Sequence, residues 1–156
     1  MTPKSPLQAI KTKCLECCGC VDIDNDRASI RSEAKQSVQG CTSTWCPLHP
    51  FRDGHNPFHG QEPHKNRDIA VYGTKDSKKP YILNKKVPLD AIVMKCFDCG
   101  CYNPDNPQFI KAGMNDDDFR EAQHCRLNCQ IEGCALHPFR LRKNPRQKNL
   151  NSPTPQ

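Results

Sequence analysis

The chain has few of the residues that build a large apolar core. Of its 156 residues, 35 % are apolar, but 12 of those are cysteines, and aromatic residues account for only 6 %. Proline (14 residues) and glycine (8 residues) are frequent. A chain of this composition buries little hydrocarbon to offset the entropy lost on folding. We therefore expect covalent or metal cross-links to stabilise it.

Long apolar runs are also missing. The best is "AIVM" at 91–94, far below the roughly 20 residues of a membrane-spanning helix. The N-terminal stretch "MTPKSPLQAIKTK" has neither the apolar segment nor the small-residue cleavage site of a secretory signal. We therefore expect a cytoplasmic protein without a membrane partner, in which thiols stay reduced and closely spaced cysteines bind metal. A disulfide framework is the alternative.

What the sequence does contain is an internal repeat. The stretch "PLQAIKTKCLEC" at 6–17 matches "PLDAIVMKCFDC" at 88–99, and "CPLHPFR" at 46–52 matches "CALHPFR" at 134–140. Each copy reads C-x2-C, a spacer, and C-x4-C followed by Leu-His-Pro-Phe-Arg. The spacer is six residues longer in the second copy. The sequence therefore predicts a duplicated module.

The repeat divides the chain into four predicted segments. We predict a first zinc module at 1–52, a linker with a possible β-hairpin at 53–87, a second zinc module at 88–140, and a basic, disordered tail at 141–156. The predicted fold class is a small zinc-stabilised α+β protein. It would consist of tandem zinc knuckles of treble-clef-like or zinc-ribbon-like form, with one short helix each and little regular sheet.

The two cysteine pairs of each copy suit a tetrahedral zinc ion. A C-x2-C turn lets two sulfurs converge on one ion at roughly 2.3 Å each, and the second pair completes the shell. Four thiolates leave no open position, so the predicted role is structural. Zinc held in this way stabilises small peptides by roughly 10–16 kcal/mol. The predicted ligands are Cys14, Cys17, Cys41 and Cys46 for one Zn2+ ion and Cys96, Cys99, Cys129 and Cys134 for the other.

Two further sets of residues keep open roles. His49 and His137 follow the last cysteine of each copy at the same spacing. Each either replaces one thiolate ligand or packs on the adjacent Pro-Phe turn. The four remaining cysteines are either buried or free thiols, or they form a third zinc site across the two copies. They are Cys18, Cys20, Cys101 and Cys125.

Local patterns predict a few regular elements. Apolar residues at helical spacing favour short helices at roughly 27–38 and 117–127, the second with a capping box from Asp118 to Glu121. The stretches "DIAVYG" and "PYILN" flank "TKDSKK" and favour a hairpin. The segments 6–13 and 88–95 fit either strands or a first helical turn.

The cysteine pattern resembles a segment found in small proteins of tailed bacteriophages and prophages. The residues that carry the resemblance are "PLQAIKTKCLECCGC" and "CTSTWCPLHPFRDG". In that family, C-x2-C-C within "AI..KCL.C" precedes a C-x4-C-P-L-x-P-[YF]-R ending. The resemblance covers both copies, about half of the chain, and implies zinc binding without assigning a function. The family accepts an aromatic residue where His49 and His137 stand, and Gly100 departs from its pattern at the position of Cys18.

The distribution of charge bears on the partner. The formal net charge is +6, and two zinc ions on eight thiolates would lower it to about +2. No acidic residue follows Glu132, whereas basic residues are frequent there. Such residues neutralise phosphates or simply form a solvated tail. The candidate nucleic-acid contacts are Arg52, Arg140, Arg142, Lys143, Arg146 and Lys148.

These observations favour a non-enzymatic, zinc-binding protein. The predicted role is a phage-encoded nucleic-acid-binding or regulatory accessory factor. The alternative is a zinc-stabilised module that binds a host or phage protein complex. No small-molecule substrate is indicated. A nuclease is disfavoured because it needs histidine and carboxylate groups around an open cation site, and the only histidine cluster lies in the linker.

Overall fold

The computed structural model describes residues 5–19, 28–58, 68–73 and 81–144. These segments form a small α+β fold with five α-helices and one two-stranded sheet, so the prediction of little regular sheet is confirmed. The elements are α1 (Pro6–Cys17), α2 (Ala28–Gln39), β1 (Ile69–Tyr72), β2 (Tyr81–Asn84), α3 (Pro88–Cys99), α4 (Pro107–Ala112) and α5 (Asp116–Leu127), with single 3-10 turns at His49–Phe51 and His137–Phe139.

The first cysteine pair of each repeat lies on a helix. The whole of "PLQAIKTKCLEC" forms α1 and the whole of "PLDAIVMKCFDC" forms α3. Each helix begins with proline at its first position, where the missing N–H has no helical partner in any case. At the start of α1, Ser5 accepts a hydrogen bond from the backbone N of Gln8 at 3.2 Å. The prediction of one short helix per module was therefore wrong, because the described residues include further helices in both halves.

The two helices that the sequence did predict are confirmed. Helices α2 and α5 begin and end within one residue of the predicted ranges. The capping box of α5, however, lies one turn earlier than predicted. Asn115 accepts a hydrogen bond from the backbone N of Asp118 at 3.1 Å, and the Asp118 carboxylate accepts one from the backbone N of Asn115 at 2.9 Å. Glu121 takes no part in this cap.

The predicted hairpin strands are also confirmed. Strands β1 and β2 pair antiparallel, with Val71 opposite Ile82, while the predicted turn at 74–79 lies outside the described residues. Because side chains alternate along a strand, Tyr72 and Leu83 face the core while Val71 and Ile82 face outward. The segment predicted as a linker therefore contributes two large side chains to the interior.

One apolar cluster contains residues from both repeats and from the hairpin. Its fully buried members include Ile10 and Phe51 of the first repeat, and Phe97 and Phe139 of the second. The Phe97 ring lies 5.0 Å from the Tyr72 ring, centroid to centroid, in an edge-to-face contact. Helix α3 contacts α1, α5 and β2. The repeats therefore share a core, with α3 at its centre.

A close helix–helix approach explains why the repeats differ at one position. A Cβ atom added at Gly100 would lie 2.9 Å from the Cα of Ala122 on α5, and backbone at that distance cannot move aside cheaply. The matching position in the first repeat is Cys18, which packs beside Leu15 and Ala34 in a small cluster between α1 and α2. Helix α5 therefore lies too close to the end of α3 for any side chain there.

Candidate metal centres

The first set of predicted ligands lies at the C-terminal ends of α1 and α2 and in the loop that follows α2. Cys14 and Cys17 are on the last turns of α1, and Cys41 follows the C-terminus of α2. Cys46 ends a turn in which its backbone N donates to the carbonyl of Ser43 at 3.0 Å. Cys14 and Cys46 are partly buried against the core, whereas Cys17 is exposed.

The thiols of this first set interact electrostatically. Burial raises the pKa of Cys14 to about 12, and repulsion from the thiolates of Cys46, Cys17 and Cys41 adds to the rise, with a smaller effect from Cys18. The three principal neighbours are the ones that the sequence assigns to the same zinc ion. These cysteines come from separate parts of the chain, and the fold places Cys46, Cys17 and Cys41 close enough to Cys14 for their charges to affect its pKa.

The second set behaves in the same way. Burial raises the pKa of Cys96 to about 12, followed by repulsion from Cys134 and Cys99 and, more weakly, from Cys129, while the Arg126 guanidinium opposes the rise. Cys96 and Cys99 lie on the last turns of α3. The cysteine neighbours of Cys96 all belong to the second predicted set, so the two sets remain separate.

The donor set fits zinc, but the described atoms do not form a coordination shell. Each set supplies four sulfurs, the ligand number and type of a structural zinc site. The eleven cysteines in the described segments are free of disulfides. In those same segments, no group of three or more His, Cys, Asp or Glu side chains is positioned to hold a metal ion. Thiols with a raised pKa are protonated at neutral pH, so binding zinc would release their protons.

Of the four remaining cysteines, the three in the described segments differ in burial. Cys18 is partly buried between α1 and α2, whereas Cys101 and Cys125 are exposed. Cys20 lies outside the described residues. The third zinc site proposed for these cysteines stays a prediction.

Both repeated histidines bind the backbone of the adjacent cysteine loop. The Nε2 atom of His49 lies 2.9 Å from the carbonyl oxygen of Cys41, and Nε2 of His137 lies 2.9 Å from the carbonyl oxygen of Cys129. A carbonyl only accepts hydrogen bonds, so Nε2 carries the hydrogen and has no lone pair for a metal. The equal spacing of cysteine and histidine in the two copies is the sequence signal of this contact.

Two of the candidate nucleic-acid contacts bond to backbone carbonyls. Arg52 donates from Nε to the carbonyl of Val38 at 3.0 Å and from Nη1 to that of His49 at 2.9 Å. The first of these bonds satisfies a carbonyl at the C-terminus of α2, where helical partners are lacking. Arg140 donates from Nη1 to the carbonyl of His137 at 3.0 Å. Both guanidinium groups are therefore engaged within the protein.

The other four candidates lie in the C-terminal segment. Arg142 forms a bidentate ion pair with Asp90, and Lys143 is exposed. Arg146 and Lys148 lie outside the described residues. A role in nucleic-acid binding stays a prediction for the whole set, and Lys143 is the described member whose charge is most accessible.

A buried polar network beside the first cysteine set was not predicted from the sequence. The carboxylate of Asp98 accepts hydrogen bonds from Lys95 Nζ at 2.9 Å and from Asn103 Nδ2 at 3.1 Å. Asn103 is 1 % exposed and also lies 3.5 Å from the carbonyl of Trp45, next to Cys46. The network thus joins α3 to the first C-x4-C loop. No spacing rule could have found the link to the first loop, because Asn103 and Trp45 are 58 residues apart in the sequence.

Comparison with known proteins gives no match: no family model, curated protein or solved structure is similar to this chain. The helices in the described segments are all too short or too polar to cross a membrane.

Proposed function

We propose that the protein is a non-enzymatic protein stabilised by two zinc ions, each held by four cysteines. The observation that carries this proposal is the environment of Cys14 and Cys96. These cysteines occupy matched positions on α1 and α3, and each is repelled by the three other cysteines of its own predicted site. Clustered thiols of this kind repel one another when ionised, and a divalent cation removes that repulsion.

We also propose that the two sites belong to duplicated modules. In support, the matched sequences form helices of equal length, α1 and α3, and each is contacted by a second helix, α2 or α5. Each C-x4-C loop is followed by a 3-10 turn of the same three residues, His-Pro-Phe. Zinc would supply each module with strong bonds between its first helix and its C-x4-C loop.

The proposed role is that of a nucleic-acid-binding or regulatory accessory factor, as encoded by a phage. Support comes from the basic residues beyond Phe139, a stretch that contains no acidic residue. Because Arg52, Arg140 and Arg142 already bond within the protein, phosphate contacts would fall to Lys143, Arg146 and Lys148.

One observation favours a protein partner as the second candidate. The outward face of the hairpin presents the aliphatic side chains of Ile69, Val71 and Ile82, which are 46 %, 54 % and 52 % exposed. Val71 and Ile82 are directly opposite each other in the strand pairing. Contiguous exposed apolar residues are more typical of protein interfaces than of nucleic-acid interfaces.

Native mass spectrometry of the full chain tests the zinc proposal. We expect two zinc ions per chain, one after the substitution Cys14→Ser, and one after Cys96→Ser. The control is Cys101→Ser, at an exposed cysteine outside both sets, which should retain two. A wild-type protein without zinc, or a Cys14→Ser variant that still holds two ions, would refute the proposed sites.

A further inference from the structure

We propose that His49 and His137 are positioning residues that hold the two C-x4-C loops in shape for zinc without binding the metal. This inference rests on the proposed zinc sites. It assigns to the repeated histidines a function that neither a ligand role nor simple packing provides.

Each histidine contacts both cysteines of its loop through the backbone. The side chain of His49 donates from Nε2 to the carbonyl of Cys41 at 2.9 Å, and its backbone N donates to the carbonyl of Cys46 at 3.0 Å. One residue therefore fixes both ends of the loop that carries the second cysteine pair of the first site.

The second repeat has the same two bonds. His137 donates from Nε2 to the carbonyl of Cys129 at 2.9 Å and from its backbone N to the carbonyl of Cys134 at 3.0 Å. The residues inside the two loops share little, "TSTW" in one and "QIEG" in the other. The histidine contacts therefore depend on the residues that the two copies share and not on the residues between the two cysteines.

The surroundings hold each histidine in this orientation. Its own carbonyl accepts a hydrogen bond from the arginine three residues later, at 2.9 Å from Arg52 and at 3.0 Å from Arg140. The phenylalanine two residues later, Phe51 or Phe139, is fully buried in the core. The repeated motif C-x4-C-x2-H-P-F-R thus contains two proposed ligands, one residue that holds their loop, and two that anchor this residue.

The hydrogen bonds of the imidazole ring distinguish a positioning role from a role as a metal ligand. Nε2 keeps its hydrogen for the carbonyl and cannot coordinate a metal. In the second repeat, the other ring nitrogen, Nδ1 of His137, lies 3.5 Å from Nη1 of Arg140, a group that can only donate. Both nitrogens of His137 therefore face partners from the protein. Loss of such an outer contact to a metal site typically weakens metal binding by about 10–100-fold.

Cobalt titration of the full-length, metal-free protein tests this inference. Thiolate-to-cobalt absorption reports bound metal, and the d–d bands report the type of ligand. In His49→Phe, which keeps a ring but removes the donor, we expect one of two cobalt equivalents to bind about 10–100-fold more weakly. The d–d bands at saturation should match those of the wild type. His137→Phe should weaken one equivalent in the same way.

The substitution His49→Gln provides the rescue. The amide nitrogen of glutamine takes nearly the place of Nε2 and can donate to the Cys41 carbonyl, so we expect affinity within a few-fold of the wild type. The control is His55→Phe, at a histidine that is 85 % exposed, which should leave both equivalents unchanged. Because His49→Gln keeps the donor, cobalt binding that is much weaker in this variant than in the wild type would overturn the proposal even if His49→Phe does not fold. The matched pair His137→Phe and His137→Gln repeats the comparison in the second repeat.

The possible failures are distinguishable. Unchanged affinity in His49→Phe, or equal weakening in His49→Gln, would overturn the positioning role while leaving the zinc sites intact. A shift of the d–d bands in His49→Phe would show that the imidazole is a ligand and would overturn it as well. A wild-type protein that binds no cobalt would refute the proposed function and this inference together.

Discussion

Arg142 donates two hydrogen bonds to the carboxylate of Asp90, from Nε to Oδ1 at 2.7 Å and from Nη2 to Oδ2 at 3.0 Å. Asp90 is 4 % exposed, and its Oδ2 also accepts a hydrogen bond from the backbone N of Asn84 at 2.9 Å. The guanidinium lies over the Tyr81 ring, 5.6 Å from its centroid. The sequence made Arg142 a candidate phosphate contact. In the structure, Arg142 instead connects the C-terminal segment to Asp90 of α3 and to Tyr81 of β2.

The first prediction concerns this ion pair. Arg142→Ala would leave a buried carboxylate without its cation, so we expect the free energy of unfolding to fall by about 2 kcal/mol. Because Arg142 is itself partly exposed, the loss should be smaller than for a fully buried pair. Denaturant unfolding of the zinc-loaded protein measures it.

The neighbouring basic residue supplies the control for this experiment. Lys143 is exposed, and Lys143→Ala should change the free energy of unfolding by no more than about 0.5 kcal/mol. Equal effects of the two substitutions would show that the Arg142–Asp90 pair does not contribute specifically to stability.

The second prediction concerns the contact between α3 and α5. Gly100→Ala would place a Cβ atom 2.9 Å from the Cα of Ala122, so we expect a loss of about 1–3 kcal/mol in stability. Gly133→Ala is the matched control, since an added Cβ there meets no atom within 4 Å. Thermal unfolding followed by circular dichroism compares the two. A Gly100→Ala protein as stable as Gly133→Ala would mean that the helices are farther apart than described.

The third prediction concerns the partner. If the C-terminal segment binds phosphate, a triple substitution of Lys143, Arg146 and Lys148 by Gln should reduce the slope of log Kobs against log salt for duplex DNA. The slope should fall by about 0.9 for each phosphate that the variant no longer neutralises. Fluorescence anisotropy across a salt series with mixed DNA and RNA measures this slope.

A second triple variant controls for net charge alone. Lys11, Lys35 and Lys111 are exposed lysines on three other helices, and their substitution by Gln removes the same charge. Its slope of log Kobs against log salt should lie closer to the wild-type value than the slope of the first triple variant does. Equal slopes in both variants would contradict a role for the C-terminal segment. Absent or salt-independent binding by the wild type would favour a protein partner.

The sequence predicted the local elements well because their signals are local. Ile30, Ala34 and Val38 step by four along α2; Ala34 and Val38 are buried, whereas Ile30 is 40 % exposed. On α5, Phe119, Ala122 and Leu127 are the apolar residues at helical spacing, yet Leu127 is 45 % exposed and Arg126 is buried in its place. The Arg126 guanidinium lies over the rings of Tyr81 and Phe97, at 5.3 and 5.2 Å from their centroids. Helical periodicity alone could not reveal a cation buried against aromatic rings.

The candidate sites were predicted in part. The C-x2-C spacing predicted a pair of neighbouring sulfurs, but it did not predict the backbone conformation that carries them. The three-residue step brings two side chains together in a tight turn and also on one face of a helix. Cys14 and Cys17 lie on the last turns of α1, which the spacing could not decide. The sequence did not predict the internal bonds of Arg52 and Arg140, because a guanidinium group donates hydrogen bonds to backbone carbonyls and to phosphates alike.

The most direct test of the proposed zinc sites is zinc X-ray absorption of the full-length protein loaded with two equivalents of zinc. We predict a shell of four sulfur atoms per zinc at about 2.3 Å, averaged over two similar sites. The His49→Phe and His137→Phe variants should give the same shell. A first shell that contains nitrogen or oxygen at about 2.0–2.2 Å in the wild-type protein would contradict the all-cysteine assignment.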